Sequence, residues 1–324
     1  MRSEHRGFAK TLQPRPPIIN LQTETQPGTG MKYRITHETT YHGDQPVSVC
    51  HNEACLKPRD TPFQCLEDHQ LEALPSPTSL NHRRDYFGNH VWAFSFNRGY
   101  DKMTVTSVSE VSLCERVMPP VEQTPAWDRL AQTLRTPTSP EDLVASEFTF
   151  DSPRSVGLKP LAEYARQSFL TGRPLLEAVT ELTARIHRDF EYNPRATIVT
   201  TPVDEVFRLR KGVCQDFAHL QIAALRSLGL AARYVSGYLR TRPAPGKPSL
   251  VGADASHAWL SVYLGDGDWL DLDPTNNVVP NLEHITVAWG RDYSDVCPLK
   301  GVFIGGGRHS LSVSVDVALM EPQP

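Results

Sequence analysis

The side chains in this chain best placed to do chemistry are a cysteine, a histidine and a pair of aspartates. Cys214 stands in "KGVCQDFAHLQIAALRSLGL" (211–230), just after a Lys-Gly turn and just before a long apolar helix. The free backbone N–H groups of a helix's first turn, with the helix macrodipole, favour a thiolate. The same groups can receive the oxyanion that forms when sulfur attacks a carbonyl. A cysteine that merely caps a core helix would occupy the same position, so a base is needed to mark it as a nucleophile. His219 is nearest in sequence. It lies five positions along the same helix, about 140° around the axis from Cys214, and is read as a packing histidine rather than the base. His257 fits better. It follows a polar, Gly-containing loop and opens the apolar strand "HAWLSVYL" (257–264), a costly place for an imidazole without a task.

The imidazole must in turn be oriented, and Asp271 and Asp273 offer themselves on the next strand, "DWLDLD" (268–273). A three-residue loop, Gly265-Asp266-Gly267, with Gly267 in the left-handed conformation, would pair Leu264 with Asp268 and Trp259 with Asp273. His257 and Asp273 would then be diagonal neighbours on one face. A two-residue loop would put them on opposite faces. Pro274 ends the strand just after Asp273. Asp273 is therefore the expected orienter, with Asp271 as the fallback or a plain polar strand residue.

The elements that carry these residues are legible by period and punctuation. "LLEAVTELTARIHRDF" (175–190) repeats Leu175, Val179, Leu182 and Ile186 at helical spacing. "TPVDEVFRLRKG" (201–212) reads as a helix with Thr201 as N-cap, Pro202 first and Gly212 as the stop. In the helix that begins near Cys214, apolar residues cover most of the circumference, so it should be buried, with Gly229 closing it. "AARYVSGYL" (231–239) is a strand, a Pro/Gly-rich loop (240–256) follows, and "SLSVSVDVALM" (310–320) alternates strictly. Upstream, "MKYRITHETTY" (31–41), 47–56, 89–96 and 103–113 read as strands, with "DYFGN" (85–89) a turn; no helix is expected before about residue 126. Prolines at 119, 120, 125, 137 and 140 mark a boundary.

These readings give an α+β chain: residues 1–30 as a disordered leader, 31–116 as an N-terminal antiparallel β-sandwich, 117–154 as a linker region and 155–320 as a catalytic domain. The 324 residues are 39% hydrophobic and 22% charged with a net charge of −4, enough for a sizeable core and without the basic footprint of a nucleic-acid binder. No apolar run is long enough to span a membrane, and no signal peptide is visible, so a cytoplasmic protein is expected. The six cysteines contain no C-x-x-C pair. Cys50, Cys55, Cys65, Cys114 and Cys297 are read as reduced, small apolar residues, and no zinc site is expected.

"GVCQDFAHLQIAALRSLGLAARYVSGYL" followed by "SHAWLSVYLGDGDWLDLDPTNN" resembles the transglutaminase-like superfamily, and in particular its bacterial branch of proposed cysteine proteases. The order Cys in "GVC", His in "HAW", Asp in "DPTN" matches, and "YRITHETTY" and "DYFGN" resemble that branch's N-terminal β domain. The resemblance covers about residues 31–320. It implies a papain-like catalytic domain with Cys214, His257 and Asp273 as a triad, and an upstream side chain supporting the oxyanion, for which Tyr192 in "DFEYNP" is the nominee. A helix-end core aromatic would look the same. The implied chemistry is acyl transfer at a peptide, isopeptide or γ-glutamyl amide through a thioester on Cys214. Hydrolysis is the leading expectation, with transglutaminase-type amine transfer or a non-catalytic scaffold as alternatives. No cofactor is expected. Some relatives use calcium, but no acidic loop has calcium-ligand spacing, so no metal is carried over. A metal protein using Cys214, His219 and His257 is disfavoured by the helical separation of the first two.

Overall fold

The computed structural model describes residues 30–241 and 255–320. The expected leader, except Gly30, and most of the Pro/Gly-rich loop lie outside these residues. In chain order the described elements are β1 (Met31–Ala54), β2 (Gln64–Leu74), β3 (Ser79–Arg84), β4 (His90–Phe96), β5 (Tyr100–Leu113), α1 (Trp127–Arg135), α2 (Pro140–Ser146), α3 (Lys159–Arg166), α4 (Leu175–Asp189), β6 (Glu191–Tyr192), α5 (Val203–Leu209), β7 (Lys211–Gly212) and α6 (Cys214–Arg226). They continue as β8 (Ala232–Leu239), β9 (Ala255–Gly265), β10 (Asp268–Leu272), β11 (His284–Gly290), α7 (Tyr293–Val296), β12 (Leu299–Gly305) and β13 (His309–Met320).

The fold is a mixed α/β arrangement with an antiparallel N-terminal β unit. That unit is one seven-stranded sheet, bent into a half-barrel, rather than the two facing sheets of a sandwich. β1 is its long axis. On one side β5 pairs with the first half of β1 and β4 with the second. On the other side β13 pairs with the first half and β12 with the second. The ladders shift register opposite residues 42–49, where the sheet bends. The outer half closes over its own core of Cys50, Phe94, Phe96, Met103 and Val105. Tyr33, Ile35, Val315 and Val317 instead join the main core with α4, α6, β8 and β9.

This return of the chain corrects the boundary at 155–320: residues 299–320 belong to the first sheet. Strict alternation in β13 identified a strand but held no information about its partner, since β1 lies far away in sequence. The supposed linker 117–154 also holds α1 and α2, the latter capped by Ser139, whose hydroxyl accepts from the Asp142 N–H at 3.0 Å. Cys50 and Cys55 are buried as expected, but Cys65 and Cys114 are exposed.

The second sheet, four strands in the order β10-β9-β8-β11, carries the candidate site. α6 is buried from Asp216 to Arg226, as a helix apolar around most of its circumference requires. Gly229, with φ of 82°, follows it in the left-handed region. α5 is shorter than expected. It starts after Pro202, and the Thr201 hydroxyl accepts from the Ile198 N–H instead of capping. Arg210, not Gly212, supplies the left-handed stop. Gly212 is needed for another reason: a Cβ there would come within 2.7 Å of the Asp216 carboxylate.

Candidate active site

Asp216 shapes the start of α6. Its Oδ2 accepts from the Val213 N–H at 2.9 Å and from the Thr197 hydroxyl at 2.6 Å. A carboxylate folded back onto the N-cap amide fixes where the helix begins, and Cys214 is its first residue, partly exposed. Gln215 anchors the same turn to the preceding loop, its Nε2 donating to the Val199 carbonyl.

His257 comes from β9, where Gly237 of β8 lies opposite. A Cβ at Gly237 would fall 2.1 Å from the Ile285 carbonyl oxygen and 2.5 Å from the Trp259 ring, so only glycine lets the strands and the indole meet here. The turn into β10 differs from expectation. Gly265 pairs with Asp268 across a two-residue turn, with Asp266 and Gly267 both at positive φ (51° and 83°), as a type I′ turn demands. A one-residue shift between Asp268 and Trp269 then restores the register, pairing Trp269 with Tyr263 and Leu272 with Leu260. The next pair in this register is Trp259 with Asp273, as expected. The bulge does what the longer loop was expected to do.

Asp273 is fully buried. Its Oδ2 accepts from His257 Nε2 at 2.7 Å, Asn276 Nδ2 at 2.7 Å and His284 Nε2 at 3.1 Å. Its Oδ1 accepts the Thr275 and Asn276 N–H groups at 2.9 and 3.2 Å. Burial alone would raise its pKa, but the hydrogen bonds from His257 and His284 outweigh it and hold the carboxyl well below the usual range. Burial likewise works against a charged His257. Hydrogen bonds to Asp273 and Cys214, with their charges, prevail and raise the imidazole from 6.5 to about 10. With Nε2 bound to Asp273, the interaction of His257 with Cys214 falls to Nδ1.

Asp271 does not reach His257. Its Oδ2 accepts from Trp259 Nε1 at 3.2 Å, which removes it as the fallback orienter. Trp259 in turn packs against both His257 and His284, with centroids 6.0 and 5.2 Å apart. His219 stacks on Tyr234 at 4.7 Å and its Nε2 accepts from the Tyr293 N–H. Burial pushes it down to about 3, the behaviour of a packing histidine. Tyr192 pairs with Gly212 where β6 meets β7, two residues before Cys214. It is 55% exposed, not a core aromatic. Partial burial and the Cys214 charge raise its hydroxyl pKa.

Asn276 and His284 escaped the sequence reading. Asn276 had a signal, because Asp-Pro-Thr-Asn is a sequence in which a carboxylate caps the following turn. His284 had none, since it reaches Asp273 only through the pairing of β11 with β8. The ligand atoms of His257, Asp273 and His284 lie within 4.8 Å of one another. Their arrangement is that of donors converging on one carboxylate oxygen, and a cation there would displace the His257–Asp273 bond.

The bacterial transglutaminase-like N-terminal region matches residues 33–112, and the transglutaminase-like superfamily matches residues 162–274. An uncharacterized protein of Mycobacterium tuberculosis is 40% identical over 295 residues, covering 90% of this chain and 93% of that protein. One from Mycobacterium leprae is 33% identical over 289 residues, covering 88% and 98%. A protein-glutamine gamma-glutamyltransferase of Pseudomonas aeruginosa is 33% identical over 125 residues, 38% of this chain and 18% of that enzyme. Among solved structures, a proposed cysteine protease from Cytophaga hutchinsonii superposes with a TM-score of 0.71 at 23% identity, over 91% of this chain and 93% of that one. The chain belongs to the transglutaminase-like superfamily. Among the described residues, no helix is long and apolar enough to cross a membrane.

Proposed function

We propose that the protein is a cysteine-dependent acyl transferase acting on amides, with water as the usual acceptor, and so a protease or amidase. The observation that carries this reading is His257 held between a buried, ionised Asp273 and the sulfur of Cys214. The sulfur attacks the amide carbonyl, and the oxyanion lies toward the free N–H groups of the first turn of α6, with the Tyr192 hydroxyl, which feels the Cys214 charge, as the proposed assisting donor. Protonated His257 gives its proton to the leaving amine as the C–N bond breaks, leaving a thioester and a neutral ring. The ring then takes a proton from the incoming water as it attacks and keeps it when the thioester opens, so that the acid is released and the thiolate and imidazolium are restored.

Water is favoured because Cys214 is only partly buried. A hollow of about 310 Å³ beside the start of α6 is lined by Ile198, Val199 and Gln215. Ile198 and Val199 are 72% and 51% exposed, which suits an apolar side chain of a peptide substrate. Amine transfer is the second reading, favoured by the likeness to the Pseudomonas gamma-glutamyltransferase. The six unpaired thiols suit a reducing compartment, so a cytoplasmic location is part of the proposal. The test is a blocked glutaminyl peptide offered with and without excess hydroxylamine. Release of ammonia with free acid as the main product supports hydrolysis. Hydroxamate as the main product even at low amine indicates transfer, and no Cys214-dependent turnover of any amide or activated ester contradicts both.

A further inference from the structure

Arg233 has no part in the chemistry above, yet it places a guanidinium on the same sheet, held between aromatic rings. It lies opposite Ser261, which in turn pairs with Asp271, so these residues share the face that carries Trp259. Its guanidinium carbon sits 4.2 Å from the centroid of Trp269 and 3.7 Å from that of Trp289, between two indoles. Its Nε is sealed from solvent without a hydrogen-bond partner. Burial pushes its pKa down to about 9, only partly opposed by Asp271. Asp271 has an oxygen committed to Trp259 Nε1, and Arg233 has no ion pair among the described residues. Stacking satisfies the flat faces of a guanidinium but not the N–H groups in its plane. A buried Nε–H left unspent calls for an explanation.

The guanidinium looks into a cavity of about 320 Å³ between the first sheet and the second. That is the low end of the ligand-pocket range, about 300–1,000 Å³. Phe63, in the turn before β2, and Arg116, just after β5, close it on one side, and Trp269, Trp289 and Asp271 of the second sheet on the other. The other acid facing it, Asp268, lies 3.8 Å from Arg116. Asp268 lies beside Arg116, and Asp271, though its Oδ2 holds Trp259, keeps its charge and partly offsets that of Arg233, so what the lining leaves open is the hydrogen-bonding capacity of the Arg233 guanidinium. Cys214 is not part of the lining. His284 is, and it hydrogen-bonds to Asp273, so the cavity adjoins the catalytic residues without containing the nucleophile.

We propose that this cavity binds a small carboxylate with a flat apolar body, the carboxylate bridging the N–H groups of Arg233 and the body lying against Trp269, Trp289 and Phe63. A planar fork meeting a carboxylate gives a paired, charge-assisted contact that a neutral amide cannot match. The proposal does not depend on the acyl-transfer reading, because its readout is binding.

The probe is benzoate, with benzamide as its neutral isostere, titrated into the full chain while tryptophan fluorescence and the unfolding midpoint are followed. Benzoate should quench fluorescence saturably and raise Tm by several degrees near saturation, while benzamide does neither at equal concentration. Arg233→Met keeps the filling between the indoles and removes the guanidinium. It should leave the unliganded Tm unchanged or higher and weaken benzoate at least tenfold, whereas Arg233→Lys, which keeps charge but not the fork, should fall between. No saturable response to benzoate in the wild type, equal responses to benzoate and benzamide, or unchanged benzoate affinity in Arg233→Met would each overturn the proposal. The two wild-type titrations decide the matter even if a variant folds poorly.

Discussion

Replacing Asp273 by Asn separates orientation from packing at the site. The substitution keeps shape and volume but gives the side chain one acceptor oxygen and one NH2. If the oxygen stays on the Thr275 and Asn276 amides, the NH2 points at His257 Nε2, His284 Nε2 and Asn276 Nδ2, all of which donate to Asp273 in the wild type. His257 must then present a lone pair at Nε2 and carry its proton on Nδ1, toward the sulfur. The contributions of Asp273 that held the imidazole up are gone and only Cys214 still opposes burial, so the ring gives up its proton more readily than in the wild type. A comparable substitution in a serine-protease triad costs about 10⁴-fold. A cysteine nucleophile depends less on proton removal, so we expect a loss of about 10²–10³-fold in acylation, or about 3–4 kcal/mol of barrier. Donors left facing an NH2 should also cost about 1–3 kcal/mol of stability, a lower Tm with cooperative unfolding retained. Asp271→Asn keeps an oxygen for Trp259 Nε1 and should acylate within about threefold of wild type, since a hydrogen bond retained by an isosteric oxygen changes by about 1 kcal/mol or less. Single-turnover acylation by an activated ester, beside circular dichroism, measures both. An Asp271→Asn variant that is crippled while Asp273→Asn acylates normally would refute the assignment.

Other expectations follow from the same geometry. His284→Phe removes a donor to Asp273 Oδ2 but leaves His257 its partner, so acylation should fall by only about tenfold, roughly one charge-assisted hydrogen bond's share; a loss as deep as that of His257→Ala would make His284 the base. His257 is raised from 6.5 to about 10, so the stability it contributes is fully present below about pH 6.5 and is lost as pH rises through about 10. Urea unfolding of wild type and His257→Gln should therefore show a gap at pH 6 that narrows by pH 10.5; a widening gap would reverse the sign. Gly237→Ala should cost at least about 2–3 kcal/mol, because the added carbon meets the Ile285 carbonyl and the Trp259 ring; an unchanged midpoint would show that the strands can separate there.

How much of this was legible in the sequence depends on how local each signal was. The start of α6, the strand opened by His257 and the Asp-Pro stop after Asp273 announce themselves within a few residues, so the elements carrying Cys214, His257 and Asp273 could be drawn. The register survived a wrong loop length, because a one-residue shift at Asp268 offset the shorter turn. Long-range pairing left no trace. Nothing in "SLSVSVDVALM" says that β13 lies along β1, and nothing near His284 says that it points at Asp273. The exposure of Cys65 and Cys114 was also hidden, since it depends on which sheet edges the rest of the chain covers.

The central claim is that Cys214 is the nucleophile and His257 its partner. It is tested most directly by incubating the protein with a slowly released activated ester near pH 6, then locating the acyl group by peptide mass. Exposed Cys65 and Cys114 serve as internal controls for ordinary thiol reactivity. The account predicts one acyl group, on Cys214, absent in Cys214→Ala and formed at least about tenfold more slowly in His257→Ala, as expected when a general acid-base partner is lost. Acylation spread over Cys65 and Cys114 at rates matching Cys214, unchanged by His257→Ala, would contradict it.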